Sequence, residues 1–269
     1  MYKLLVSITI SAAIAFAANG SRRLAAPILQ PGAPTPGAAG IPVPPPATGS
    51  GFAVVELFTS EGCSSCPPAD ELAATIAKEY PENVYVLSFH VDYWDRLGWK
   101  DVYSSAVYTQ RQQEYARQFS LNSIYTPQAV VNGKVQFVGS DESRLRSAVE
   151  EGLAAKTPAG KITLSAKCED GKNVKVSYSI DNPGKATLQV ALVQSQASSQ
   201  VLRGENQGRR LQHVNVVRAF QSVSLQSGSG GVLSLKLPDG LKAKDGKIFG
   251  FLQDQKDGRV LNARQAVIE

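Results

Sequence analysis

Residues 53–80 read AVVELFTSEGCSSCPPADELAATIAKEY, and three patterns follow one another within them. Ala53 to Ser60 is a short apolar run rich in β-branched residues, the pattern of a strand buried on both faces and therefore of a parallel sheet. Pro67 to Tyr80 carries Leu72, Ile76 and Tyr80 at helical intervals with alanines between them. That spacing predicts a helix with one apolar stripe, opened by prolines in its first turn. Cys63 and Cys66 lie between the two, so a dithiol loop leads from a buried strand into a helix N-terminus.

The same reading extends outward. VYVLSFHV, Val84 to Val91, is a second buried strand. Ser104 to Phe119 is polar, with Val107, Tyr108, Arg111, Tyr115 and Phe119 at helical intervals, and predicts an inserted helix. QAVVNG and KVQFVG flank Asn132-Gly133, a dipeptide suited to the positive φ angles of a tight hairpin. Ser140-Asp141 caps a helix running to about Ala155, with Leu145, Val149 and Leu153 on one stripe.

From Lys161 the rhythm changes to alternation: Ile162, Leu164 and Ala166, then Val174, Val176, Tyr178 and Ile180, then Leu188, Val190 and Leu192. Turn-forming stretches such as EDGKN and DNPGK bound these groups, and about seven or eight strands follow. The expected architecture is an α/β domain over residues 52–156 followed by an all-β, sandwich-like domain over 160–269. No internal repeat is visible.

The amino terminus has a different character. Lys3 precedes the uncharged run LLVSITISAAIAFA, and Ala15-Phe16-Ala17 supplies small residues where a signal peptidase cuts. Residues 1–17 therefore read as a signal peptide, and residues 18–51, dense in Pro, Ala and Gly, as a tether. The expected location is secreted or periplasmic, with no stable membrane span after cleavage. A formal net charge of +5, scattered along the chain, does not imply a nucleic-acid partner. Three cysteines in an exported chain allow one internal disulfide and leave one thiol over.

The first cysteine lies near the helix N-terminus, where unpaired backbone N–H groups and the helix dipole favour thiolate over thiol. Cys63 is the expected nucleophile and the more exposed of the two. Cys66, a turn further in, is placed to resolve a mixed disulfide. Ser64 and Ser65 can donate hydrogen bonds to a thiolate, whereas a nearby Glu61 carboxylate disfavours it. The expected function is thiol–disulfide exchange with exported protein thiols or disulfides, without a bound cofactor. Two alternatives stand beside it: a Cu(I) site made by Cys63, Cys66 and His90 in a copper-binding or copper-delivery protein, and a non-catalytic module in which the pair is an inert staple.

His90 ends the second buried strand at the end of the sheet where ligands of open α/β folds gather, which makes it a candidate proton shuttle for Cys66. Asp92 and Asp95 read first as turn and cap residues, with orienting His90 or acting as acids as the alternative. Trp94 and Trp99 read as anchors of their loop or walls of a peptide groove. GENQGRRLQH, with Glu205, Arg209, Arg210 and His213, reads first as a solvated connection holding an ion pair, with a contact surface as the alternative. Cys168 is the spare thiol.

Residues of about 52 to 155 resemble a thioredoxin-like domain, and the resemblance implies that Thr126-Pro127 is a cis bond facing the dithiol. Thr59-Ser60-Glu61-Gly62 stands where thioredoxins carry a Trp, and Ser-Ser separates the cysteines in place of Gly-Pro. ELFTSEGCSSCPPAD, SFHVDYWDRLGWKD, YTPQAVVNG and GENQGRRLQHVNVVR together resemble a secreted family labelled domain of unknown function 1223. That resemblance supports export and supplies no reaction.

Overall fold

The computed structural model describes residues 51–156, 161–225 and 229–269. The expected signal peptide, all of the tether except Gly51, and the expected division near 157–160 lie outside the described residues.

Strand β1 (Ala53–Thr59) is buried along its whole length, as its unbroken apolar run requires. Helix α1 (Pro67–Glu79) starts with Pro67 and Pro68, whose missing N–H groups cost nothing in a first turn, and buries Leu72, Ala73 and Ile76. Strand β2 (Val84–His90) pairs parallel with β1 in a register from Ala53 opposite Val84 to Thr59 opposite His90. Helix α2 (Ala106–Gln118) is capped by Ser105, whose hydroxyl accepts from the Val107 N–H. Strands β3 (Gln128–Val131) and β4 (Val135–Val138) form the expected hairpin, with φ of 50° at Asn132 and 60° at Gly133. Helix α3 (Glu142–Ala154) is capped by Asp141, which accepts from the Arg144 N–H.

Seven strands follow among the described residues: β5 (Ile162–Cys168), β6 (Asn173–Ile180), β7 (Ala186–Gln200), β8 (Arg210–Ser224), β9 (Gly230–Lys236), β10 (Gly246–Asp254) and β11 (Val260–Val267). They do not form the sandwich-like domain expected beside a thioredoxin-like α/β domain, and that expectation is corrected here. A single eight-stranded mixed sheet runs β11-β10-β7-β8-β2-β1-β3-β4, and only β5, β6 and β9 make a separate three-stranded sheet. The join is β8 against β2, parallel, with Ser88 opposite Val216 and the Ser88 hydroxyl donating to the Val214 carbonyl at 2.8 Å.

The packing explains why the two halves merge. Phe58, Phe89, Tyr108 and Tyr115 share one apolar cluster with Val193, Val217, Phe249 and Phe251. Phe89 meets Phe220 edge-on at 5.4 Å, and Tyr85 meets Phe249 edge-on at 5.7 Å. These aromatic side chains of the first half would face water if the later strands folded apart from them. Within the same cluster Arg111 makes a bidentate pair with the buried Glu56 and lies under the ring of Phe220 at 4.8 Å. The opposite face of β1, β2 and β3 packs under α1 and α3, and the three-stranded sheet closes a further core over β7 and β10.

Candidate functional site: a covered disulfide above a buried acid–base cluster

Cys63 and Cys66 form a disulfide between the end of β1 and the start of α1. Cys66 is the N-cap of α1, and its carbonyl accepts from the N–H groups of Ala69 and Asp70 at 2.9 and 3.1 Å. The Ser65 hydroxyl lies 3.4 Å from the Cys63 sulfur. Both cysteines are fully buried, at 0% exposure, so Cys63 is not the exposed member that the helix position suggested.

What covers them is the loop 201–209 between β7 and β8. Asn206, itself buried, donates through Nδ2 to the carbonyls of Glu61 and Cys63, each at 2.9 Å. The Ser64 N–H donates to Glu205 Oε2 at 2.9 Å, and the Ser64 hydroxyl first, with this N–H, holds the Glu205 carboxyl below its ordinary value. Arg209 braces the loop by donating to Asn206 Oδ1 at 2.9 Å. The segment read as a solvated connection is therefore a strap docked on the Cys-Ser-Ser-Cys turn, giving the Glu61 carbonyl a donor and the Cys63 carbonyl a second one beside the Cys66 N–H.

Beneath the strap lies a buried polar cluster containing both histidines of the chain. His90 Nδ1 is 2.6 Å from Asp101 Oδ2, and both side chains are at 0% exposure. Asp101 also accepts from the N–H groups of Glu61 and Tyr103, at 2.9 and 2.8 Å. Burial pushes the Asp101 carboxyl up, but His90 and these N–H donors outweigh it and hold it below the ordinary aspartate value. His213 packs edge-on against His90 at 4.7 Å between ring centres.

The nitrogens of His213 stand 3.4 Å from Glu61 Oε1 and 3.6 Å from Asp70 Oδ2, distances of ion pairs rather than hydrogen bonds. Burial lowers the His213 pKa, yet Asp70 and Glu61 more than offset this and raise it to about 9. His213 is thus an imidazolium at neutral pH, flanked by two carboxylates that bracket the disulfide in sequence. Glu61 is held further by Trp99 Nε1 at 2.8 Å and by the Ser199 hydroxyl.

Among the described residues, the buried atoms His90 Nε2, Asp70 Oδ1 and Thr59 Oγ1 have no hydrogen-bond partner. No three His, Cys, Asp or Glu side chains among them are grouped to hold a metal ion, and the two sulfurs of the Cys63, Cys66 and His90 set are bonded to each other.

The remaining candidates fall as follows. Thr126–Pro127 is cis, at the start of β3. Trp94 donates to Thr126 Oγ1 at 2.8 Å, so both tryptophans anchor their loop through a hydrogen bond. Asp92 accepts from the Thr109 hydroxyl and Asp95 from the Ser104 hydroxyl and the Asp101 N–H, so both brace the loop before α2 through contacts longer than a turn or cap. Cys168 is a free thiol at the end of β5. Sequence reasoning missed Asp70 and Asp101 and placed His213 in a solvated loop. The available signal for His213 was its position two residues after Leu211, on the inward face of an alternating strand.

A family model described as "Protein of unknown function (DUF1223)" matches residues 54–253. The chain matches no curated protein. It is similar to the crystal structure of a protein from Agrobacterium tumefaciens at 31% identity and a TM-score of 0.59, over 79% of this chain and 92% of that one. A domain of the outer membrane lipoprotein Omp28 from Porphyromonas gingivalis is matched at 16% identity and a TM-score of 0.26, over 41% of this chain and 88% of that one.

Proposed function

The chain belongs to the family of proteins of unknown function DUF1223, and from that premise we propose that it is an exported protein exchanging disulfides through Cys63 and Cys66. The observation that carries this reading is the position of the bond, closed across the N-terminal turn of α1 with Cys66 as the helix cap. There the helix dipole and the free N–H groups stabilise a thiolate released at the N-terminal turn.

In the exchange, a partner thiolate attacks Cys63 Sγ, the Cys63–Cys66 bond breaks, and Cys66 leaves as a thiolate that takes up a proton. A second partner thiol, as thiolate, then attacks the partner sulfur of the mixed disulfide and releases Cys63. The partner leaves oxidised and the pair is left as a dithiol; the reverse sequence passes the disulfide on. Because both sulfurs are fully buried under the strap, access requires the 201–209 loop to lift. Export rests on the amino-terminal signal pattern, and no described helix is long and apolar enough to cross a membrane.

Trapping tests the reading. A Cys66→Ala variant, expressed with its signal sequence in a Cys168→Ser background, is expected to accumulate mixed disulfides with exported proteins through Cys63, and a Cys63→Ala variant few. No trapped species from either variant, with the wild-type pair shown by alkylation to be reducible, would overturn the exchange function. Equal trapping by both would overturn the assignment of Cys63 as the attacked sulfur.

A further inference from the structure

Opening the disulfide at Cys63 turns Cys66 into a thiolate on a fully buried residue. A charge released out of reach of water must meet a cation or a proton.

Helix α1 places a carboxylate beside that sulfur. Cys66 has helical backbone angles, φ −78° and ψ −36°, and its carbonyl accepts from the Asp70 N–H at 3.1 Å. The two residues therefore stand one turn apart on the same face of α1. Side chains on a helix lean toward its N-terminus, which carries the Asp70 carboxylate back over Cys66. Asp70 is buried, with Oδ2 at 3.6 Å from His213 Nδ1, while Oδ1 has no hydrogen-bond partner. Buried acceptors in native proteins are almost always satisfied, so this oxygen calls for a donor. A cysteine in a disulfide has no S–H to give; a reduced Cys66 has one.

His213 reaches the same carboxylate from β8. At neutral pH its imidazolium carries a proton on each nitrogen, and the one on Nδ1 faces Asp70. Neither nitrogen is fixed in a hydrogen bond. Glu61, in the turn before α1, faces the other nitrogen at 3.4 Å. His90 from β2 and Tyr103 from the loop before α2 meet the ring edge-on, at 4.7 and 5.9 Å between centres. Asp101 stands behind His90, and Arg218 lies over Tyr103.

We propose that His213 and Asp70 deliver the proton that Cys66 takes up when the disulfide opens, and that Asp70 Oδ1 then accepts a hydrogen bond from the Cys66 thiol. This deepens the exchange reading and rests on it. The attacking thiolate bonds to Cys63 Sγ, and the electron pair of the Cys63–Cys66 bond stays on Cys66 Sγ. The Nδ1 proton of His213 passes to the Asp70 carboxylate and from there to that sulfur, leaving a thiol, a carboxylate and a neutral imidazole. His213 recovers its proton from solvent. The thiolate and the imidazolium are discharged together, so no charge is stranded in the core. On oxidation of the pair the proton travels the same path in reverse.

The test uses the mature chain in a Cys168→Ser background. Reduction of Cys63–Cys66 is timed by alkylation from pH 6 to 10, where the rate is linear in dithiothreitol, and is divided by the concentration of dithiothreitol thiolate. The wild-type rate so corrected is expected to be level to about pH 8 and to fall through about 9, as His213 loses its proton. Asp70→Asn and His213→Gln are each expected to be about tenfold slower at pH 7, with a flat profile. Loosened packing would expose the bond and speed its reduction, so the expected effect is opposite to that of a folding defect. A rate at or above wild type in either variant, or the wild-type pH profile in both, overturns the delivery of the proton. Infrared spectroscopy of a Cys63→Ala, Cys168→Ser chain, in which Cys66 has the only S–H group, tests the contact itself. Its S–H stretch is expected at the lowered frequency of a hydrogen-bonded thiol; the frequency of a free thiol overturns the pairing with Asp70 without any change at position 70. Dithiothreitol stands in for the exported partner, so both results are independent of trapping: a chain that shows this pH profile but traps no partner loses the exchange function alone.

Discussion

Asn206 donates to the backbone carbonyl of Cys63 at 2.9 Å from 143 residues further along the chain. A contact of that separation ties the disulfide turn to the β7–β8 loop.

Asn206→Ala is therefore expected to leave the Glu61 carbonyl without its donor and the Cys63 carbonyl with only the Cys66 N–H, at a cost of about 2 kcal/mol of stability. It is also expected to accelerate reduction of Cys63–Cys66 by dithiothreitol. Thermal unfolding and timed alkylation measure the two effects separately. An unchanged reduction rate in a destabilised variant would mean that the strap does not guard the bond.

His213 links stability to alkaline pH. Its pKa of about 9 in the folded chain exceeds the ordinary 6.5, so its stabilisation is present in full below about pH 6.5 and is lost as pH rises through 9. The difference amounts to about 3 kcal/mol. Urea unfolding across this range is expected to show that decline in the wild type and a flatter profile in His213→Gln. Parallel profiles would remove the imidazolium from the account.

Asp101 organises His90. Replacing it with Asn keeps the shape but removes the negative charge facing Nδ1 at 2.6 Å, and is expected to destabilise the chain by about 2 kcal/mol. A downfield imidazole proton signal from His90 Nδ1–H is expected in the wild type and should vanish in Asp101→Asn. Persistence of the signal would show that another group holds the ring.

Arg111 and Glu56 form a further buried ion pair, inside the aromatic core. Removing one partner strands the other charge, so Arg111→Met is expected to cost about 4 kcal/mol by chemical denaturation. The double variant Arg111→Met with Glu56→Gln should recover a large part of that loss. A double variant no more stable than Arg111→Met would show that the guanidinium contributes mainly by packing on Phe220.

The helices, the hairpin at Asn132-Gly133 and the two buried strands around the dithiol were legible in the sequence. Each depends on contacts only a few residues apart: caps at Ser105 and Asp141, prolines opening α1, positive φ angles at a turn. The alternation after Lys161 likewise marks strands correctly. Period-two patterning reports that one face of a strand is buried; it does not report against what.

That second question decided this protein. Thr59, Glu61, Asp70, His90, Asp101 and His213 come from separated parts of the chain and meet only because β8 lies beside β2 and α1 packs over them. The GENQGRR stretch has the composition of a solvated loop, and nothing local separates an asparagine in water from one that caps a buried carbonyl. The sequence by itself determined the elements and the place of the cysteine pair between β1 and α1, because backbone preferences and hydrophobic periods act over a turn or two. Only the tertiary structure decided that the strands join one sheet, that the disulfide is covered, and that both histidines share one buried cluster. Strand neighbours and buried polar partners are chosen by the free energy of the whole packed core, to which residues more than a hundred positions apart contribute at once.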